Sequence, residues 1–341
     1  MATVLRNQLA IMTFKISFLL GALALGIVAP AEAKLVTVDV PGATNTSPQA
    51  INAKGWIAGG YDNGDGLGHS FVRTNKGTIT TFDVSDTSAP GARVCDTFAA
   101  GINDKNVIVG TLVGCEALAF IRKPDGTITT FGINGGNRIY YPRINSGGAI
   151  TGTYLDDPLG IAHGFVRARN GKVKTIDAPD ADRTYARCIN DSGVIAGHYA
   201  GSDHVVHGFV RTPDGKITSF DAPDAINTYI NDINSLGDIV GYSDTSAGPR
   251  GFVRKADGTF VTSEYRHSET KAYSINDSGV ISGWTFTDTD HGFIRSADGK
   301  FTTVDLLVSG DVLSFFINDR GKVAGSYHDA GGLEHGFIGT P

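Results

Sequence analysis

Ile189-Asn190-Asp191-Ser192-Gly193-Val194-Ile195-Ala196-Gly197, then, after a variable loop, His207-Gly208-Phe209-Val210-Arg211-Thr212-Pro213-Asp214-Gly215-Lys216-Ile217-Thr218-Ser219-Phe220-Asp221, is one full copy of the unit that decides the fold. Its apolar runs are four to seven residues long and are separated by Gly, Asn and Asp turns. That is the signature of short antiparallel strands, not helices. The reading places strand a over Thr184–Ile189, strand b over Gly193–Tyr199, strand c over His207–Thr212 and strand d over Lys216–Ala222. Working outward, the turn recurs as Ile51-Asn52, Ile102-Asn103, Ile144-Asn145, Ile233-Asn234, Ile275-Asn276 and Ile317-Asn318. Each Asn reads as a turn cap, because Asn hydrogen-bonds its own backbone in turns.

Seven copies of four strands predict an all-β, seven-bladed β-propeller. The expected blades lie near 44–85, 92–133, 137–180, 181–224, 225–265, 268–308, and 310–341 together with 34–43. The last blade is split. The final copy stops after His335-Gly336-Phe337-Ile338, and Leu35-Val36-Thr37-Val38-Asp39-Val40-Pro41 reads as its missing strand d. A β-helix or open solenoid is the competing architecture, but neither needs a blade shared between the two ends. The chain's 341 residues would suit two domains by length alone, but blades add length within one domain. The 45 glycines, spread between apolar runs, fit many tight turns.

The first 33 residues differ. Arg6 and Lys15 precede the apolar run Ile16–Val28, and Ala31-Glu32-Ala33 has the small-x-small form of a signal-peptidase site, with Met12 as an alternative start. A secreted or periplasmic protein starting at Lys34 is expected, with no span afterwards. Removing Arg6, Lys15 and Glu32 takes the net charge from −6 to −7. An acidic chain without a basic stripe is a poor nucleic-acid binder.

His69-Ser70-Phe71, His163-Gly164-Phe165, His207-Gly208-Phe209, His291-Gly292-Phe293 and His335-Gly336-Phe337 give a repeated His-x-Phe signature. In this the chain resembles the extracellular HAF-repeat family over essentially all of its mature length. The resemblance implies an exported bacterial repeat protein and assigns no catalytic residue.

An Asp stands 14 residues after each of four of these histidines, in the pairs His69/Asp83, His163/Asp177, His207/Asp221 and His291/Asp305. The closing strand gives His335 the partner Asp39. The three-residue turn Pro213-Asp214-Gly215 sets residue 207 opposite 221. Where the pair changes, both members change, to Arg250/Glu264 and Leu118/Gly132. Cross-strand contact explains this. With one pair per blade, the histidines cannot converge on one metal, so the pairs are read as structural. Cys95 and Cys115 are expected to form a disulfide, and Cys188 to be a buried thiol.

No serine elbow, zinc-protease helix, phosphate loop, dinucleotide fingerprint or complete EF-hand loop is present. Candidate ligand residues therefore come from the expected channel mouth, seven residues before each repeat Asn. These are Asn45, Asp96, Arg138, Arg183, Asn227, Glu269 and Asp311. Glu269, Asp311 and Asp96 form an acidic arc suited to Ca²⁺. Arg138 and Arg183 suit an anionic or carbonyl group. Tyr140, Tyr185 and Tyr229, two positions on, offer stacking surfaces. A purely solvated rim is the plain alternative. Three functions follow. The first is a binding module for a glycan, envelope component or protein, expected as a monomer. The second is a Ca²⁺-dependent lactonase or esterase. The third is a passive structural repeat protein.

Overall fold

The computed structural model describes residues 34–86, 93–114, 118–133, 136–156, 158–304 and 312–340. The expected export segment 1–33 lies outside them, as do Cys115, Asp305 and Asp311. The described residues contain no helix. They form seven four-stranded antiparallel sheets arranged as blades of a β-propeller, plus a two-residue ladder between Ser85–Asp86 and Arg93–Val94.

Strand a, innermost in each blade, is Asn45–Ile51, Asp96–Ile102, Gly136–Ile144, Ala181–Ile189, Asn227–Ile233, Glu269–Ile275 and Val312–Ile317 in blades 1 to 7. Strand b is Ile57–Asp62, Ile108–Val113, Ile150–Asp156, Ile195–Gly201, Ile239–Thr245, Ile281–Phe286 and Val323–His328. In blade 4, strand c is Val206–Arg211 and strand d is Ile217–Phe220. Strand b thus starts two residues later than expected, because Gly193 (φ 79°) stays in the turn with its N–H on the Asn190 carbonyl. Strand d stops earlier, because Asp221 turns to His207 and the Ala222 N–H leaves the ladder for Thr228 Oγ1. Blade 7 is closed by Lys34–Val38, which pairs with Glu334–Thr340 from Lys34↔Thr340 to Val38↔Gly336.

The core lies between blades. The strand-c phenylalanines Phe71, Phe120, Phe165, Phe209, Phe252, Phe293 and Phe337 are all buried, and each contributes roughly 1.5–3 kcal/mol. Clusters straddle neighbouring blades: Ala58 and Val72 of blade 1 pack with Ile108 and Phe120 of blade 2, and Ile57 and Phe71 pack with Ala324 of blade 7. Strands covered on both faces must be apolar on both, as their sequences are. Arginines ending strand c add to the seams, with Arg122, Arg167 and Arg254 stacking on Phe82, Phe131 and Phe220 of the preceding blade at 4.6–4.8 Å.

The repeat asparagines do more than cap. Each Oδ1 accepts the N–H four residues on, at 2.9–3.0 Å. Each Nδ2 donates to the carbonyl of the next blade's Asn. The chain runs Asn52→Asn103→Asn145→Asn190→Asn234→Asn276→Asn318→Asn52, at 2.7–3.2 Å. Seven buried side chains close a hydrogen-bonded ring around one end of the channel.

Candidate functional site

Strand a carries a β-bulge two residues before the repeat Ile in six blades; the extra residue is Gln49, Ala100, Arg187, Asn231 or Tyr273, and in blade 3 Tyr141 and Pro142 together oppose Gly152. The seat for the bulge is a strand-b glycine. A Cβ on Gly197 would stand 2.1 Å from the Tyr185 carbonyl oxygen, and one on Gly241 1.9 Å from that of Tyr229. Bulges re-aim side chains. Here they sit on the innermost strand of each blade, where the copies differ most.

Above the bulge, the strand a–b pairs hold two long side chains in one arc and at most one in another. They are Tyr185↔His198, Tyr229↔Tyr242 and Lys271↔Trp284 in blades 4 to 6, but Ser47↔Gly60 in blade 1 and Phe98↔Thr111 in blade 2. In the large arc the rings run continuously. His198 lies 5.4 Å from Tyr185 and 5.5 Å from Tyr229, Tyr229 stacks on Tyr242 at 4.8 Å, and Lys271 Nζ sits 4.9 Å over Tyr242 and 5.3 Å over Trp284. Tyr185 and Tyr229, expected as ligand platforms, are thus partly occupied in packing. Tyr140, the third, lines a cleft.

The neighbouring channel positions are charged. The Arg143 guanidinium donates to the Ala100 carbonyl, and burial, with Arg187 nearby, holds it down at about 10. Arg187 stacks over Tyr141 at 4.4 Å. Burial raises the Asp232 carboxyl, which accepts from Ser274 Oγ at 2.8 Å and the N–H groups of Ile233 and Ile275 at 2.9 and 3.1 Å. Burial, then the charge of Arg187, pushes His198 down to about 3. Cys188 is a free buried thiol, raised by the same burial. Arg143, Arg187 and Asp232 were missed in the sequence. Their signal was charge one or two residues before an Ile-Asn turn that is elsewhere apolar or neutral.

The expected rim residues serve mainly to join blades. Asn45 accepts the Glu334 N–H at 2.9 Å, Asp96 that of Gly68 at 3.0 Å and Asn227 that of Val206 at 3.0 Å, each reaching the blade before its own. Glu269 packs over Gly248 in the same way, close enough that a Cβ there would meet its Oε1 at 3.0 Å. Arg138 contacts the Tyr140 hydroxyl at 3.4 Å and Arg183 is exposed. Asp96 and Glu269 belong to blades 2 and 6, and among the described residues no three acidic, His or Cys side chains group as metal ligands. The oxygen cage expected from Asp96 and Glu269 is not assembled, because each carboxylate turns to its neighbouring blade; Asp311 lies outside the described residues.

The His–Asp pairs sit where the register sets them. Nδ1 meets Asp83, Asp177, Asp221 and Asp39 at 2.7–2.9 Å for His69, His163, His207 and His335, and Leu118 faces Gly132. The partner assigned to His291, Asp305, lies outside the described residues. The pairs stand apart, one per blade. The Tyr61, Tyr154, Tyr199 and Tyr327 rings pack on these four histidines at 4.9–5.5 Å. Cys95 is buried and disulfide-bonded; Cys115 lies outside the described residues.

Two cavities mark the channel ends. The Asn-ring end opens into about 220 Å³ beside Asp104, Asp191, Asp277 and Asp319. Burial, and then the neighbouring acids, raise the Asp319 carboxyl. The other end holds a cleft of about 650 Å³ on the small-residue arc, lined by Tyr61, Phe98, Tyr140 and Tyr141 and by Asn45, Gln49, Asp62, Asp96 and Glu334. Phe98 and Tyr141 are 41% and 52% exposed, although core-sized rings are usually covered. The cleft exists because blades 1 and 2 lack the bulky pairs of blades 4 to 6. Asn45 and Asp96 are the expected mouth residues that reach it.

Among solved structures, the chain is similar to virginiamycin B lyase from Staphylococcus aureus (10% identity, 91% of this chain and 100% of that one, TM-score 0.62). It is also similar to a streptogramin B lyase (12%, 90% and 97%, 0.62) and to the β-propeller domain of the Trilobed protease from Pyrococcus furiosus (12%, 86% and 95%, 0.55). At these identities the likeness shows the propeller fold alone. No family model and no curated protein matches the chain.

Proposed function

We propose that this chain is an exported binding module that holds an extracellular glycan in the wide-mouth cleft. The observation that carries this reading is the pair of half-exposed rings, Phe98 and Tyr141, set in a recess of about 650 Å³ with the amides of Asn45 and Gln49 alongside. A pocket of roughly 300–1,000 Å³ with apolar walls and a few polar groups is the usual form of a small-ligand site. Flat rings accept the C–H faces of sugars, while amides and carboxylates take hydroxyl hydrogen bonds. The His-x-Phe repeats and the leader-like residues 1–33 support export, as does a disulfide-bonded Cys95.

Glycan-array screening followed by calorimetry tests the reading. Phe98→Ala and Tyr141→Ala are expected to weaken a bound glycan by about tenfold each, the scale of one aromatic contact. An array with no binder, or a binder indifferent to both changes, overturns it. Sequencing the N-terminus of the exported protein is expected to begin at Lys34.

A further inference from the structure

We propose that the wide-mouth cleft selects glycans carrying protonated amino groups. This rests on the reading of the cleft as a glycan site and names the ligand class. Three carboxylates line it, Asp62, Asp96 and Glu334 from blades 1, 2 and 7, and among the described residues no Lys, Arg or His does. Asp62 and Asp96 each spend one oxygen on a backbone N–H, of Gly64 and Gly68, and keep the other for a ligand. The cations nearest the cleft are turned to groups of the protein. Arg143 donates to the Ala100 carbonyl, Arg138 is on the Tyr140 hydroxyl and Arg187 on the Tyr141 ring, while His69, stacked on Tyr61, lies between Asp65 and Asp83. A neutral sugar would gain the aromatic walls but bring the three carboxylates of the lining no counter-charge. An ammonium group answers them, and aromatic faces also attract cations. Anionic glycans are repelled by the same three groups.

The test compares tetra-glucosamine with its fully N-acetylated counterpart at about pH 5.5, where the sugar amines are protonated. The free-amine tetramer is expected to bind at least about tenfold more tightly at low ionic strength, the sum of a few exposed charge and cation–ring contacts. Its preference is expected to shrink in about 0.5 M salt, where screening is strong. The triple change Asp62→Asn/Asp96→Asn/Glu334→Gln keeps the capping oxygens and removes the charge. It is expected to abolish the preference, so that the variant binds the two tetramers equally. Equal or tighter binding of the N-acetylated tetramer by the parent overturns amine selection and leaves the glycan reading standing. A preference that survives the triple change overturns the assignment to this cleft. Failure of a folded parent protein to bind either tetramer, with neutral glycans of other types bound and dependent on Phe98, overturns amine selection alone. Failure with every glycan removes both proposals.

Discussion

At the scale of single residues, the channel's chemistry comes from a few side chains held in costly places. His198 is the clearest. Its ring is packed between Tyr185 and Tyr229 and its Nδ1 accepts the Ile230 N–H at 3.4 Å, so the neutral form is the one that fits. With a folded value near 3 against 6.5 unfolded, the unfolded chain takes up a proton first as the pH falls below about 6.5. Stability that is fully present above that value is then lost toward acid. Between pH 7 and 5 the loss from this one group is about 2 kcal/mol. His69 and His335 act the other way. Despite partial burial, their Asp partners raise them above 6.5, so their contribution is complete below 6.5 and lost as pH rises through the folded values. Denaturant unfolding of the parent and of His198→Gln at pH 7 and pH 5 isolates the first effect. The parent is expected to lose about 2 kcal/mol more than the variant on acidification, and equal losses would contradict a buried neutral imidazole. Gly197 is held as tightly by space as His198 is by charge. A methyl group there would drive into the Tyr185 carbonyl, so Gly197→Ala is expected to flatten the bulge and cost about 3 kcal/mol in a denaturant titration.

Among turns and strands, what could be read in advance depended on how local the determinant was. The three-residue turn fixes the c–d register, so residue 207 opposite 221 followed from counting, and so did the paired loss in Leu118 and Gly132. The bulge in strand a was not legible. It needs a carbonyl on one strand pressed against a glycine on the next, and Ile195-Ala196-Gly197 alone looks like any small-residue strand. Without the bulge, the a–b pairing above it cannot be aligned. Pairs such as Tyr185 with His198 were therefore hidden, and with them the difference between the filled and open arcs that makes the cleft. Of the expected rim residues, all but Asp311, which lies outside the described residues, fall within the first three positions of strand a, but the bonds that Asn45, Asp96 and Asn227 make to the preceding blade depend on blade stacking. The Asn turns were half legible: the cap to the fourth residue is local, whereas the Nδ2 bond spans two blades. Asn190→Ala would orphan the Val194 N–H and take the cross-blade donor from the buried Asn234 carbonyl, which keeps the Gly237 N–H at 3.1 Å. At roughly 1–3 kcal/mol for the unsatisfied group and about 1 kcal/mol for the lost bond, a loss of about 2–4 kcal/mol is expected. Asn63→Ala, which removes a cap in an exposed loop, is expected to stay within about 0.5 kcal/mol. Equal effects in urea melts would show that the ring bond contributes nothing beyond a turn cap.

For the whole molecule, closure is the property on which the channel and cleft depend. A propeller left open would expose the backbone edge of strand c in blade 7 and uncover apolar faces on both sides of the gap. The strand Lys34–Val38 covers that edge, His335 bonds Asp39 across it, and Asn318 donates to Asn52 on the inner side of the same seam. Closure therefore rests on noncovalent pairing at both radii. Because Lys34 pairs directly with Thr340, the two ends of the propeller lie side by side, and in a chain begun at Lys34 a short Gly linker can join them. Joining them and opening the chain in the blade 3 loop at Leu159, which is 72% exposed, keeps every strand pair and moves only the break. That permutant is expected to fold, to melt within a few degrees of the parent and to keep its ligand binding. Deleting residues 34–40 from the parent removes strand d of blade 7, Asp39 and the buried Val38 and Val40, leaving Phe337 beside an unpaired edge. The truncated chain is expected to lose cooperative unfolding and to associate through that edge, measured by calorimetry and light scattering. Should the truncated chain melt like the parent, the pairing of Lys34–Val38 with Glu334–Thr340 would not be what holds the ring closed.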